Sequence, residues 1–101
     1  MYRGTTPIHT FTFPENFPVK EYAFLYITYA QCGEVRCEKC LNDGVIENNR
    51  VQVRLEQAET LSFFGSQQVD IQLRVKSKTG DAYASNIITV PVGTILKDGE
   101  I

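Results

Sequence analysis

Apolar and polar residues alternate one by one through much of this chain, most cleanly between Gln67 and Val92 (QQVDIQLRVKSKTGDAYASNIITVPV). Val69, Ile71, Leu73 and Val75 fall on one side of the alternation, and Asp70, Gln72, Arg74 and Lys76 on the other. A period of two belongs to a strand with one buried face and does not fit a helix. Thr79-Gly80-Asp81 has turn chemistry, and Ala84 to Val92 is a second apolar segment rich in β-branched residues. Together they predict a β-hairpin.

The same pattern, followed from the start, predicts more strands. Residues 1–7, with the polar run Arg3–Pro7, form an arm, and Ile8 to Phe13 alternates with His9, Phe11 and Phe13 on one face. The segment from Pro14 to Pro18 ends that strand, because proline removes a ladder donor. Glu21 to Gln31 is the longest strand, with Leu25, Ile27 and Tyr29 on one face and Tyr22, Phe24, Tyr26 and Thr28 on the other. A tight turn at Gln31–Glu34, with Gly33 at a positive φ, returns the chain antiparallel through Val35–Leu41. Asn42-Asp43-Gly44 and Asn48-Asn49 read as turns around a short extended piece, Gly44–Glu47. Arg50–Leu55 alternates with Val51, Val53 and Leu55 inward. Glu56–Phe63 is the one helical candidate, read as a crossover between two sheets, and Gly93–Ile101 as a tail able to leave the domain. The expected fold is an all-β, immunoglobulin-like antiparallel β-sandwich of about seven strands with one short helical crossover. It occupies a single domain over residues 1–101.

Composition narrows the function. The chain carries 43% apolar and 22% charged residues and a net charge of −2, with both signs interspersed. Without a basic stripe to neutralise phosphates, nucleic acid is not an expected partner. The longest apolar run, Tyr22–Ala30, is about half a bilayer span, so no membrane partner is expected. The opening MYRGTTPIHT lacks the apolar centre of a signal peptide. The expected location is therefore the cytosol where the chain is made, or a larger assembly that leaves it. Three cysteines, an odd number, suit a reducing compartment better than a disulfide framework.

Candidate chemistry is sparse. Cys32, Cys37 and Cys40 give the spacing C-x4-C-x2-C, three positions of a plant-type iron–sulfur pattern without a fourth cysteine. Cys37 and Cys40, an odd number apart on a strand, point to opposite faces. Free thiols are the expectation, with a small metal-binding or redox protein as the alternative. His9 has no nucleophile arguably beside it, and Asp70 and Asp81 sit on a solvent face and in a turn. No catalytic residue, metal or cofactor is expected. The aromatic face Tyr22, Phe24, Tyr26 is either a second layer of core or a protein–protein interface, where Tyr and Phe are enriched. Sheet edges are further candidates for pairing with another chain.

Three stretches carry a resemblance: RGTTP-x-H-x-F-x-F (Arg3 to Phe13), ITYAQ-x-G (Ile27 to Gly33), and V-x-I-Q-L-R-V…G-x-A-x-A-S-N-I-I-x-V-x-V (Val69 to Val92). They resemble a group of small proteins encoded among the tail or structural genes of phages and prophages of Gram-positive bacteria. The pattern is also similar to the N-terminal domain of phage baseplate upper proteins, an immunoglobulin-like sandwich that attaches receptor-binding parts to the tail. The three cysteines lie outside the shared pattern. The resemblance implies a non-enzymatic virion protein, an adaptor or assembly module in the tail or baseplate. Its partners would be other phage structural proteins or further copies of itself, first in the host cytoplasm and then in the virion. Tyr22, Phe24, Tyr26, Arg3 and Pro7 are its interface candidates. A carbohydrate-binding sandwich on the virion is a further alternative, with Tyr22, Tyr26 and Tyr83 as candidates and the lack of Trp against it.

Overall fold

Strands dominate the computed structural model, in which residues 1–14 and 22–101 are described. In chain order they are β1 (Ile8–Thr12), β2 (Tyr22–Gln31), β3 (Glu34–Cys40), β4 (Gly44–Glu47) and β5 (Arg50–Arg54). A five-residue helix, α1 (Gln57–Leu61), precedes β6 (Gln67–Ser77), β7 (Ala82–Ala84) and β8 (Ile88–Val92). The small sheet runs β1-β5-β4, and the large one runs β3-β2-β6 with β7 and β8 sharing the far side of β6. Every strand pairing in the two sheets is antiparallel. The break expected at Pro14–Pro18 lies, beyond Pro14, outside the described residues.

Alternation decides what faces inward. Val51 and Val53 from the small sheet, and Leu55 just after it, meet Leu25, Ile27, Tyr29, Val69, Ile71, Leu73 and Val75 from the large one in a single core. Full burial of each such aliphatic side chain contributes about 1.5–3 kcal/mol. Helix α1 carries the chain from the small sheet to the large one, as the composition of Glu56–Phe63 predicts. So short a helix does not persist in water alone. Fully buried Thr60 and Phe63 hold it down, and the Thr60 hydroxyl donates to the Thr5 carbonyl at 2.8 Å. The all-β antiparallel expectation is met. In immunoglobulin domains the second strand pairs with the fifth, whereas here β2 sits between β3 and β6.

Local differences from the sequence pattern have identifiable causes. A register shift between Tyr22 and Phe24 inserts one residue and reverses the phase of β2. Tyr22 therefore turns into the core at 9% exposure, edge-on to Tyr83 at 6.2 Å, while Phe24 and Tyr26 stay outside. The predicted strand Ala84–Val92 is also broken into β7 and β8. At the break the Leu73 N–H donates to the Ser85 hydroxyl at 3.0 Å and Ser85 N–H to the Leu73 carbonyl at 2.9 Å. In the β2–β3 turn both Cys32 (φ 51°) and Gly33 (φ 78°) are left-handed, the requirement of a type I′ turn. Cys32 holds the position that Asn or Asp usually fills.

The two chain ends do not hang free. Tyr2 forms a parallel bridge with Gly93, with Gly93 N–H donating to Met1 and Arg3 N–H to Gly93. Pro7 accepts from the Leu55 N–H at 3.0 Å. The Arg3 guanidinium donates to the Phe63 and Leu61 carbonyls at 2.7 and 2.9 Å, and the tail returns so that Ile101 N–H reaches Gln57 Oε1 at 2.9 Å. The tail is docked, not departing from the domain.

Candidate interaction surface

The outer face of the large sheet collects what the sequence singled out as aromatic. Phe24 and Tyr26 are 49% and 41% exposed on β2, an inner strand of the large sheet flanked by β3 and β6. Pairing with β6 sets Lys76 beside Phe24 and Arg74 beside Tyr26, and Ala82 on β7 lies beside Lys76. These side chains frame a shallow groove of about 290 Å³. Aromatic rings flanked by guanidinium and ammonium groups make a surface that accepts apolar and anionic groups together.

The sheet edges are less inviting. Strands β1 and β4 are five and four residues long. The open edge of β3 is disrupted by a register shift opposite Tyr29 and Ala30 and carries Glu34, Arg36 and Glu38. Strand β8 bears Pro91 and has the Met1–Arg3 segment against its end. Short strands, bulges, charge and proline all discourage strand addition. The face is therefore the better contact surface.

Of the other candidates, Arg3 and Pro7 serve the fold's own contacts. Tyr83 is 51% exposed but pairs with Val75, an inward position, so it lies on the opposite side of the sheet from Tyr26. Tyr22, Tyr26 and Tyr83 therefore form no common platform for a sugar ring. A second groove, of about 580 Å³, opens where β1 faces β7, between Phe11, Phe13, Tyr83 and Ile88.

The cysteines separate. Cys37 faces the core beside Tyr29, Cys40 lies beside Tyr26 on the outer face, and Cys32 is exposed in its turn. All three are free thiols, and among the described residues no group of three or more His, Cys, Asp or Glu side chains is placed to hold a metal ion. Burial, then the charge and hydrogen bond of Glu59, push the Cys37 thiol up to about 12. A thiolate reagent applied near pH 8 should therefore label Cys32 quickly and Cys37 only once the chain unfolds. Mass spectrometry of the labelled peptides checks this, and equal rates at Cys32 and Cys37 would contradict the burial.

Sequence reasoning missed the cluster around Glu59, whose members lie in distant segments. The Glu59 carboxylate accepts from Lys39 Nζ (2.7 Å) and the Glu56 N–H (2.8 Å), with the Cys37 thiol at 3.4 Å. Burial raises the Glu59 pKa, but these hydrogen bonds outweigh it and hold the carboxyl below its ordinary value. Burial likewise lowers the Lys39 pKa, and the hydrogen bond and charge of Glu59 more than reverse that. Next to this cluster, Tyr29 OH and His9 Nδ1 lie 2.7 Å apart. Burial, reinforced by the Cys37 and Glu59 charges, raises the Tyr29 pKa well above its ordinary range. The cluster pins α1 and β1 onto the large sheet. Its groups are turned into structural contacts.

Comparisons of the chain with protein-family models, with curated proteins and with solved structures found no match. Among the described residues, no helix is long and apolar enough to cross a membrane.

Proposed function

We propose that this protein is a non-enzymatic structural module that works through protein–protein contacts, as a tail or baseplate adaptor or assembly protein of a phage or prophage. The phage assignment rests on the resemblance in Arg3–Phe13, Ile27–Gly33 and Val69–Val92, and an immunoglobulin-like sandwich is part of what that resemblance implies. The observation that carries the contact role is the outer face of the large sheet, where Phe24 and Tyr26 stand exposed beside Arg74 and Lys76. A rigid central strand presents these groups with little conformational entropy left to lose on binding. The grooves and the Glu59 cluster add no arrangement of nucleophile, base and open cavity that would argue for an enzyme.

Light scattering on the purified protein, alone and mixed with proteins encoded beside it, tests the reading. Self-association or binding to a neighbouring tail protein is the expected result. A strict monomer that binds none of them would overturn it.

A further inference from the structure

The outer face of the large sheet changes character along its length. On β2 the outward side chains run Phe24, Tyr26, Thr28, Ala30, from large to small. Beside them on β6 run Lys76, Arg74, Gln72, Asp70, from positive to negative. Glu38, next to Thr28 on β3, adds a second carboxylate to the small-residue end. The Thr89 hydroxyl donates to Asp70 Oδ1 at 3.0 Å and leaves the other carboxylate oxygen available.

Such a face complements itself when turned end for end. A two-fold axis lying in the contact plane at the level of Ile27 and Leu73 sets β2 against β2 and β6 against β6, with strand directions reversed. Phe24 then covers Ala30 of the second copy, Tyr26 covers Thr28, Lys76 meets Asp70, and Arg74 meets Gln72. We infer that this face closes against the same face of a second copy, antiparallel, in an isologous dimer. The inference rests on the contact-module reading above and names its partner. A face four strands wide and about 20 Å long offers roughly 400 Å² of plane per copy, so the dimer belongs among weak, reversible associations.

Sedimentation equilibrium of the full chain from about 5 µM to about 1 mM covers the range that such an interface populates. The wild type should dimerise. Lys76→Glu and Asp70→Lys should each weaken the dimer about tenfold or more, by setting like charges opposite each other. The double variant Lys76→Glu/Asp70→Lys should return to within about threefold of wild type. Tyr26→Ala should also weaken it, and unchanged melting curves would confirm that each variant folds. A monomer at about 1 mM, single reversals without effect, or a double variant no better than the singles would each overturn the inference. Binding to the proteins encoded beside it is measured on the same samples. A monomer that binds one of them refutes the dimer and leaves the contact-module reading standing. A monomer that binds none refutes both.

Discussion

Arg3→Ala is expected to destabilise the protein by about 3 kcal/mol and to loosen both chain ends at once. The reason is where the guanidinium sits. Its two hydrogen bonds, to the Phe63 and Leu61 carbonyls, fall where α1 has ended and its last carbonyls lack helical partners. Hydrogen bonds from a charged donor contribute about 1.5–3 kcal/mol each, and removing the donor leaves partly buried acceptors unmatched. A contact to Asp98 at 3.8 Å, with that carboxylate largely exposed, adds little. Two further observations show how tightly this corner is packed. A Cβ placed on Gly93 would stand 2.6 Å from the Tyr2 ring, and one on Gly65 would stand 2.6 Å from Thr94 Cγ2. The arm and the tail fit because glycine is at both positions. For a domain of this size 3 kcal/mol lowers the melting temperature by roughly 15 °C. Arg3→Lys should recover only part of the loss, since an ammonium cannot reproduce the fork that reaches two carbonyls. Urea unfolding gives the magnitude, and amide exchange should rise together in residues 1–7 and 93–101. A change below about 0.5 kcal/mol, the usual span of surface substitutions, would mean that the clamp contributes nothing.

Removing the carboxylate of Glu59 is the second large perturbation. Glu59→Ala takes away the Lys39 ion pair, the cap on the Glu56 N–H and the partner of Cys37 together. The Lys39 and Glu59 side chains are 12% and 28% exposed, so the stranded ammonium is largely out of water. The expected cost is about 2 kcal/mol at pH 7, below the full figure for a buried pair because water reaches one side.

Acid should lower the stability of the protein in two stages. Burial, with the N-terminal charge nearby, lowers the His9 pKa from its ordinary 6.5. Below pH 6.5 the unfolded chain takes up that proton first, so stability declines until the pH has passed the folded value. Glu59, with its folded pKa depressed below 4.5, contributes fully above that pH and is lost as pH falls through the folded value. Lys39, raised above 10.5, contributes fully below 10.5 and is lost as pH climbs through its folded value. The pair therefore stabilises from about pH 4.5 to 10.5. Melting temperature against pH should show both acid stages. Glu59→Gln should flatten the lower one and spare the upper, and His9→Gln should do the reverse. A single unchanged acid limb in both variants would refute these assignments.

What the sequence made legible follows from where its signals are local. Val51 and Val53 on β5, and Val69 to Val75 on β6, alternate against polar neighbours, so their burial follows from the pattern alone. Gly80 between Thr79 and Asp81 closes the β6–β7 turn with φ 98°, a conformation that glycine adopts at no steric cost. β2 is different, because both of its faces are apolar and alternation cannot reveal a slip. The bulge before Phe24 moved Tyr22 inside without disturbing any pattern. The break at Ser85 had a signal in the Ala84-Ser85-Asn86 triplet, where a hydroxyl competes for backbone groups, yet β-branched residues after it masked the interruption. Arg3, the tail and the Glu59 cluster were illegible for another reason. Their partners come from segments that meet only in the finished fold, and neither spacing nor composition marks a guanidinium as a cap for a distant helix. The candidate surface was half legible. Phe24 and Tyr26 were visible as aromatic, while Lys76 and Arg74 joined them only through the β2–β6 register.

That register has a further consequence, for the order in which the fold can form. β2 comes from the first third of the chain and β6 from the last, so the central pairing of the large sheet closes a long loop. β1 waits for β5 in the same way, and the Tyr2–Gly93 bridge joins the two extremes of the sequence. Among the described strands the hairpins β2–β3, β4–β5 and β6–β7 are local, and β8 pairs back on β6 within the same stretch of chain. Sheets with such distant pairings fold on the order of milliseconds to seconds. During synthesis, β2 and its aromatic residues leave the ribosome long before β6 exists to pair beside them. The stretch Gln67–Val92, with β6, β7 and β8, is the piece that completes the large sheet around β2 and β3.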